Sequence, residues 1–89
     1  MAKSPQLSAA YDQLDLLLKN LENRNPLDAQ IRQAANDLNL ALRVVQRELP
    51  QYEVVKGMRE LMEKDTVIEL ISHATVLKAV LGRHLFHSS

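Results

Sequence analysis

The sequence predicts an all-α fold, a small bundle of about four helices. Hydrophobic residues make up 46% of the chain but aromatic residues only 3%, and there are just two glycines and three prolines. Leucine, alanine, valine and isoleucine therefore supply the apolar content, which is typical of packed helices, whereas a β-sandwich of this length needs glycine-rich turns and aromatic strands. With 89 residues the chain is long enough for one modest core, so we expect a single domain over 1–89.

The first helix is predicted over about 5–23. Ser4 offers a side-chain oxygen at the N-cap, and Pro5 follows at the first helical position, where its missing N–H has no intrahelical acceptor to lose. Apolar residues then recur at spacings of three and four, which places them along one seam of the helix. The seam residues are Leu7, Tyr11, Leu14, Leu18 and Leu21.

The second helix is predicted over about 26–49. Asn25 and Pro26 repeat the cap and first-position signal, and Pro50 ends the helix because proline disfavours helical conformation in the residue before it. The connection to the first helix is short, so we expect these two helices to form a long antiparallel hairpin. The seam of the second helix consists of Leu27, Ile31, Ala34, Leu38, Ala41 or Leu42, and Val45.

A third, shorter helix is predicted over 51–64, although Gly57 weakens it by about 1 kcal/mol relative to alanine. Asp65 is a good N-cap for a fourth helix over 66–81. This helix is apolar around most of its circumference, which predicts a central position or a face buried in a partner. Its β-branched residues leave a strand as the alternative, but it is too long and lacks alternation. Gly82 is the predicted residue after its end, with a tail over 82–89.

Charge and composition exclude several classes of function. Eleven basic and eleven acidic side chains cancel, and the sequence pI is about 6.8, so no overall field favours nucleic acid or an anionic membrane as the partner. The chain has no cysteine, which excludes disulfides and thiolate ligands. No apolar run approaches the ~18 residues that a membrane span needs, and residues 1–10 lack the apolar core of a secretory signal. We expect a cytoplasmic protein by default.

Three histidines are the main candidates for chemistry. His73 lies within the apolar fourth helix, and histidine phosphotransfer domains carry an exposed phosphoacceptor histidine on a long helix. The Leu-Lys pair that follows that histidine in those domains is displaced here by two positions. His84 and His87 have the spacing of two metal ligands on a helix, but the tail offers no third ligand. No serine, histidine and acid combine in a catalytic arrangement. We therefore expect no enzyme, cofactor or metal site.

Apolar residues outside the helical seams point to protein binding. Leu16 and Leu17 flank the first seam, and Leu40 and Val44 lie partly outside the second, so these four are the predicted partner contacts. Three explanations remain open: a heterologous partner, a homodimer through the same residues, or wider seams because each helix contacts two neighbours. The leading hypothesis is a non-enzymatic adaptor, inhibitor or immunity-type factor.

Two family resemblances accompany this hypothesis. The stretch from Val54 to His84 resembles the N-terminal helical domain of transcription elongation factors of the elongin A type, through Val76-x-Lys78-x-Val80 followed by Arg83-His84. This likeness covers about a third of the chain, and those families add a further helix after it. The size, polarity and helix order also resemble the four-helix bacteriocin immunity proteins. We assign no family on either resemblance.

Overall fold

Four helices account for most of the described chain: α1 (Pro5–Asn23), α2 (Asp28–Glu48), α3 (Glu53–Lys56) and α4 (Val67–His87). They belong to a computed structural model that describes residues 5–23, 28–62 and 64–87. No strand occurs in these ranges, and the helices pack against one another as a small bundle. The all-α prediction is therefore confirmed. None of the described helices is both long enough and apolar enough to cross a membrane.

The two long N-terminal helices fall within their predicted ranges, and the predicted start of the second at 26 lies outside the described residues. The observed α1 coincides with the prediction over 5–23, and α2 ends one residue before the predicted 49. The predicted caps Ser4, Asn25 and Pro26 lie outside the described residues. In the bundle α1 packs most extensively against α4, and less against α2, so the long hairpin of α1 with α2 stays a prediction.

The helices α1 and α4 run antiparallel. The ring of Tyr11 meets the ring of Phe86 edge to face, with centroids 5.2 Å apart. One turn further along α1, Asp15 Oδ1 accepts a hydrogen bond of 2.6 Å from Lys78 Nζ. In these two contacts the residue number rises along α1 and falls along α4. The start of α1 therefore lies beside the end of α4.

A single apolar core joins all four helices. In the described part of the chain all the buried residues are apolar, so leucine packing supplies most of the interior. The molecule is elongated, with principal extents of 41 × 24 × 16 Å. The largest fully buried side chains are Leu14, Leu38, Leu42, Val45, Leu49, Val55, Leu70, Leu77 and Leu81.

The prediction that the fourth helix stops before Gly82 and leaves a tail over 82–89 is wrong, since α4 continues to His87. Gly82 does not adopt the positive φ of a terminating glycine. Its missing side chain leaves room for Tyr11, whose ring lies 3.3 Å from where a Cβ would be. The added turn buries Leu85, which is 5% exposed. Burying a leucine is worth about 1.5–3 kcal/mol, more than the ~1 kcal/mol helix penalty of glycine.

The predicted helix over 51–64 is also wrong, because α3 is a single turn that ends at Lys56. The residues between α3 and α4, described over 57–62 and 64–66, form an irregular segment that we call the connection. Side chains of α2 bond to backbone groups of the connection and of the end of α3. Gln46 Nε2 donates to the carbonyl oxygens of Val55 and Met58, at 3.0 and 3.1 Å. Such side-chain bonds compete directly with the helical ladder.

Asn39 and Arg43 hold the next part of the connection. Asn39 Nδ2 donates to the Leu61 carbonyl oxygen at 3.0 Å, and the Leu61 N–H donates to Asn39 Oδ1 at 2.7 Å. The Arg43 guanidinium donates to both carboxylate oxygens of Glu60, at 2.7 and 3.0 Å. With Gln46, these residues are spaced four and three apart on α2 and form one polar stripe, which carries the irregular backbone.

Asp65, the predicted N-cap of the fourth helix, accepts hydrogen bonds from the connection that precedes that helix. The Arg59 guanidinium donates to both of its carboxylate oxygens, at 2.8 and 2.7 Å, and the Met62 N–H donates to Oδ2 at 2.7 Å. The Arg59 guanidinium, and after it the Met62 N–H, holds the pKa of Asp65 well below its ordinary value of 3.8. The carboxylate therefore stabilises the fold in its charged form.

We predict that Asn39→Ala destabilises the protein by about 1–3 kcal/mol, because it leaves the Leu61 N–H and carbonyl without their partner. Amide exchange at Leu61 should accelerate in the same variant. Asn36→Ala is the matched control, since Asn36 is exposed on the same helix and has no hydrogen bond to another described residue; its effect should stay within about 0.5 kcal/mol. Equal losses in urea unfolding of both variants would contradict the role of Asn39.

We predict that Asp65→Asn destabilises the protein at neutral pH and much less in acid. Because folding lowers the pKa of Asp65, its stabilisation is present above the unfolded value near 3.8 and is lost as the pH falls toward the folded value. The difference in melting temperature between wild type and variant should shrink between about pH 5 and pH 2. A difference that stays constant over this range would show that the charge of Asp65 does not stabilise the fold.

Candidate functional site

An apolar groove lies between α1 and α2, with a volume of about 370 Å³. Its floor consists of buried side chains, Leu17 and Leu21 from α1 and Ala34 from α2. Leu16 lines the same groove and is 61% exposed. We call this surface the α1/α2 groove. Its rim is polar and is formed by Gln13, Asn20, Gln30, Gln33 and Asp37.

The four predicted contact residues occupy different environments. Leu16 is exposed at the groove, whereas Leu17 is 8% exposed and belongs to the core. Leu40 is 56% exposed, and Val44 is half-buried against the core. The structure therefore brings Leu16 and Leu17 together in the α1/α2 groove, and it places Leu40 and Val44 outside the groove lining.

Helical spacing relates Leu40 and Val44 to the groove. Asp37 is on the rim, and Leu40 and Val44 follow it after three and then four residues, so all three share one face of α2. Beyond them, Arg47 Nη2 donates to Gln6 Oε1 at 3.4 Å and links the end of α2 to the start of α1. An apolar strip therefore continues from the groove along α2 toward this polar link.

The groove has little charge. Asp37 is the one ionisable side chain that lines it among the described residues, and its Oδ1 accepts a hydrogen bond of 3.1 Å from Gln33 Nε2. The remaining rim groups are amides, which both donate and accept hydrogen bonds without carrying charge. This arrangement suits the binding of an apolar surface with a polar border, and it has no partner to make Asp37 part of an acid–base pair.

Exposed apolar side chains also occur on other elements. Val54 is on α3, Met62 is in the connection, and Ile68 and Phe86 are near opposite ends of α4. Single exposed hydrophobic residues are normal on protein surfaces. Leu16 lies beside the buried floor of the α1/α2 groove, whereas Phe86 packs against the ring of Tyr11.

His73 lies between two backbone carbonyls. Its Nδ1 is 3.1 Å from the carbonyl oxygen of Glu69, and its Nε2 is 3.2 Å from the carbonyl oxygen of Arg59. Both ring nitrogens thus face backbone carbonyl oxygens, and a neutral imidazole donates a hydrogen bond to one of the two. The phosphotransfer hypothesis stays a prediction that this geometry does not favour.

His84 contacts an aromatic ring. It meets Tyr52 edge to face at a centroid distance of 6.2 Å, whereas the side chain of His87 is outside the described part. Among the side chains that the structure describes, no three histidine, cysteine, aspartate or glutamate groups lie close enough to hold a metal ion. Paired metal ligation by the two histidines therefore stays an untested alternative.

The amide rim of the groove is absent from the sequence-based predictions. Gln13 and Asn20 stand three or four residues from Leu16 and Leu17, so helical spacing alone places them beside the leucines. The α2 side of the rim, Gln33 and Asp37, has no comparable signal, because no pattern in α2 identifies which part of α1 lies opposite.

We predict that Leu16 and Leu17, neighbours in the sequence, differ sharply when replaced by alanine. Leu17→Ala should cost about 2–5 kcal/mol, because it leaves a cavity in the core. Leu16→Ala should stay within about 0.5 kcal/mol, as expected of an exposed site. Urea unfolding of the two variants measures both values, and a large loss in Leu16→Ala would show that this side chain stabilises the fold rather than being available to a partner.

No protein-family model, curated protein or solved structure matches the chain in the comparisons, so a proposal for its function depends on the α1/α2 groove itself.

Proposed function

We propose that the protein is a non-enzymatic binding module that holds the apolar face of a partner helix in the α1/α2 groove. The observation that carries this proposal is the exposure of Leu16, 61%, directly beside a floor of buried apolar side chains. Covering a leucine is worth about 1.5–3 kcal/mol. The bundle itself does not cover Leu16, so a partner that does so gains this free energy.

A helix is the partner element that best fits the groove. Two helices form its walls, and an amphipathic helix laid between them inserts apolar side chains at spacings of three and four. The amide rim supports a partner whose flanking residues are polar and uncharged, since the cores of protein interfaces are depleted of charged residues. Among the described residues no basic side chain lines this groove, which favours protein over nucleic acid as the partner.

The contact must extend beyond the groove. A stable interface takes about 20–30 residues from each partner, and only nine described residues line the groove. Leu40 and Val44 continue the apolar strip along α2. In the proposal, Leu16 is the central anchor, Leu17 forms the floor, and Leu40 and Val44 form the extension.

A homodimer through the same residues is the second candidate, because the α1/α2 groove of one subunit is available to the exposed Leu16 of another in a symmetric interface. The predicted antiparallel pairing of α1 with α2 is part of both proposals, since it sets the length of the strip. A cytoplasmic location remains the default expectation in either case.

We predict that a photo-crosslinking residue placed at Leu16 or Leu40 captures another polypeptide from native lysate, and that the same residue at Ile68 does not. Ile68 is the matched control because it is 77% exposed but lies on α4, away from the groove. The captured protein is then purified and titrated calorimetrically against wild type and variants. Leu16→Gln and Leu40→Gln should each weaken binding at least about tenfold, while Ile68→Gln leaves it unchanged.

Two results would contradict the heterologous partner. If the adduct contains only a second copy of the chain, and light scattering shows a concentration-dependent dimer that Leu16→Gln dissociates, the homodimer is correct instead. If Leu16→Gln binds the captured protein as tightly as wild type does, the groove is not the binding surface.

A further inference from the structure

A second groove lies on another side of α2, between this helix and the connection, with a volume of about 610 Å³. Six residues line it, three from each element. Leu61 is buried at its floor, Ala35 packs partly against the core, and Met62 is 57% exposed. We call this surface the basic groove, because its remaining side chains are Arg32, Asn36 and Lys64.

The cations of the basic groove are not paired with an acidic side chain among the described residues. Arg32 and Lys64 are exposed, and neither makes a hydrogen bond or an ion pair with any residue that the structure describes. Nearby cations differ in this respect, since Arg43 pairs with Glu60 and Arg59 pairs with Asp65. No described acidic side chain lines the groove. It therefore combines apolar surface with uncompensated positive charge.

The neighbouring turns of α2 show which ligand such a surface holds. There the Asn39 amide bonds both the N–H and the carbonyl oxygen of Leu61, and Arg43 binds the carboxylate of Glu60 through two hydrogen bonds. The ligand of these two side chains is an irregular stretch of backbone in which an acidic residue precedes an apolar one. A bidentate arginine–carboxylate contact adds geometric specificity to the charge.

Arg32 and Asn36 provide the same two side-chain types as Asn39 and Arg43, nearer the N-terminus of α2. The series Arg32, Asn36, Asn39 and Arg43 has spacings of four, three and four, so all four side chains belong to one face of α2. The C-terminal pair, Asn39 and Arg43, binds the connection of the same chain. The N-terminal pair, Arg32 and Asn36, has no partner among the described residues. Met62 and Lys64 line the opposite side of the groove.

We propose that the basic groove binds an extended acidic segment of another protein. A carboxylate of that segment pairs with Arg32 and Lys64, the Asn36 amide bonds its backbone, and an adjacent apolar side chain covers Met62. This site is separate from the α1/α2 groove and does not depend on the function proposed there. Two cations around an apolar floor suit a peptide better than nucleic acid, whose binding relies on many phosphate contacts.

The test uses a short fluorescent peptide with capped ends, in which glutamates flank a leucine, and a matched peptide with glutamines in place of the glutamates. The acidic peptide should shift the NMR amide signals of Arg32, Asn36 and Met62 saturably, and added salt should weaken its binding. Arg32→Gln and Lys64→Gln should each lower the affinity about tenfold through the lost charge-assisted hydrogen bond.

Lys56→Gln is the matched charge control, because Lys56 is exposed on α3 and does not line the basic groove. It should leave the affinity unchanged, as should Leu16→Gln, which separates this site from the α1/α2 groove. The proposal is overturned if the glutamine peptide binds as tightly as the acidic one, or if Lys56→Gln weakens binding as much as Arg32→Gln. It is also overturned if double-stranded DNA displaces the peptide at lower concentrations than free peptide does.

Discussion

The hydrogen bonds of the Asn39 amide hold the connection between α3 and α4 against α2. The connection between α3 and α4 has no regular structure, so its backbone N–H and carbonyl groups need partners elsewhere. Asn39 bonds both backbone groups of Leu61, while Gln46 and Arg43 bond to residues that precede Leu61 in the sequence. Because this stripe sets where the connection lies on α2, it also sets where α4 begins and which face α4 offers to α1.

The spacing of apolar residues was sufficient to predict the helices that pack through their own apolar seam, α1 and α2. The bounds of α1, and of α2 within one residue at its end, follow from leucines at spacings of three and four and from Pro50. It failed where tertiary contacts outweigh local preference. Side chains of α2 replace the helical bonds expected over 51–64, and the burial of Leu85 together with the fit of Tyr11 against Gly82 extends α4.

The candidate site shows the same limit. Sequence reasoning identified Leu16 and Leu40 as apolar residues outside the seams, and both are exposed. It grouped Leu17 with them, although one residue along a helix is a rotation of about 100°, which is enough to turn Leu17 into the core. Nothing in the sequence places Lys64 and Met62 opposite Arg32, because that proximity depends on a segment with no periodicity of its own.

The pairing of α1 with α4 bears on how the protein is made. The contact between Asp15 and Lys78 joins residues separated by 63 positions, and closing so long a loop is entropically costly before the contacts that reward it have formed. As the ribosome releases the chain, α1 emerges first, yet its most extensive packing partner is the last of the described helices. The face of α1 that packs against α4 therefore lacks its partner until α4 has left the exit tunnel, and only then can the bundle close.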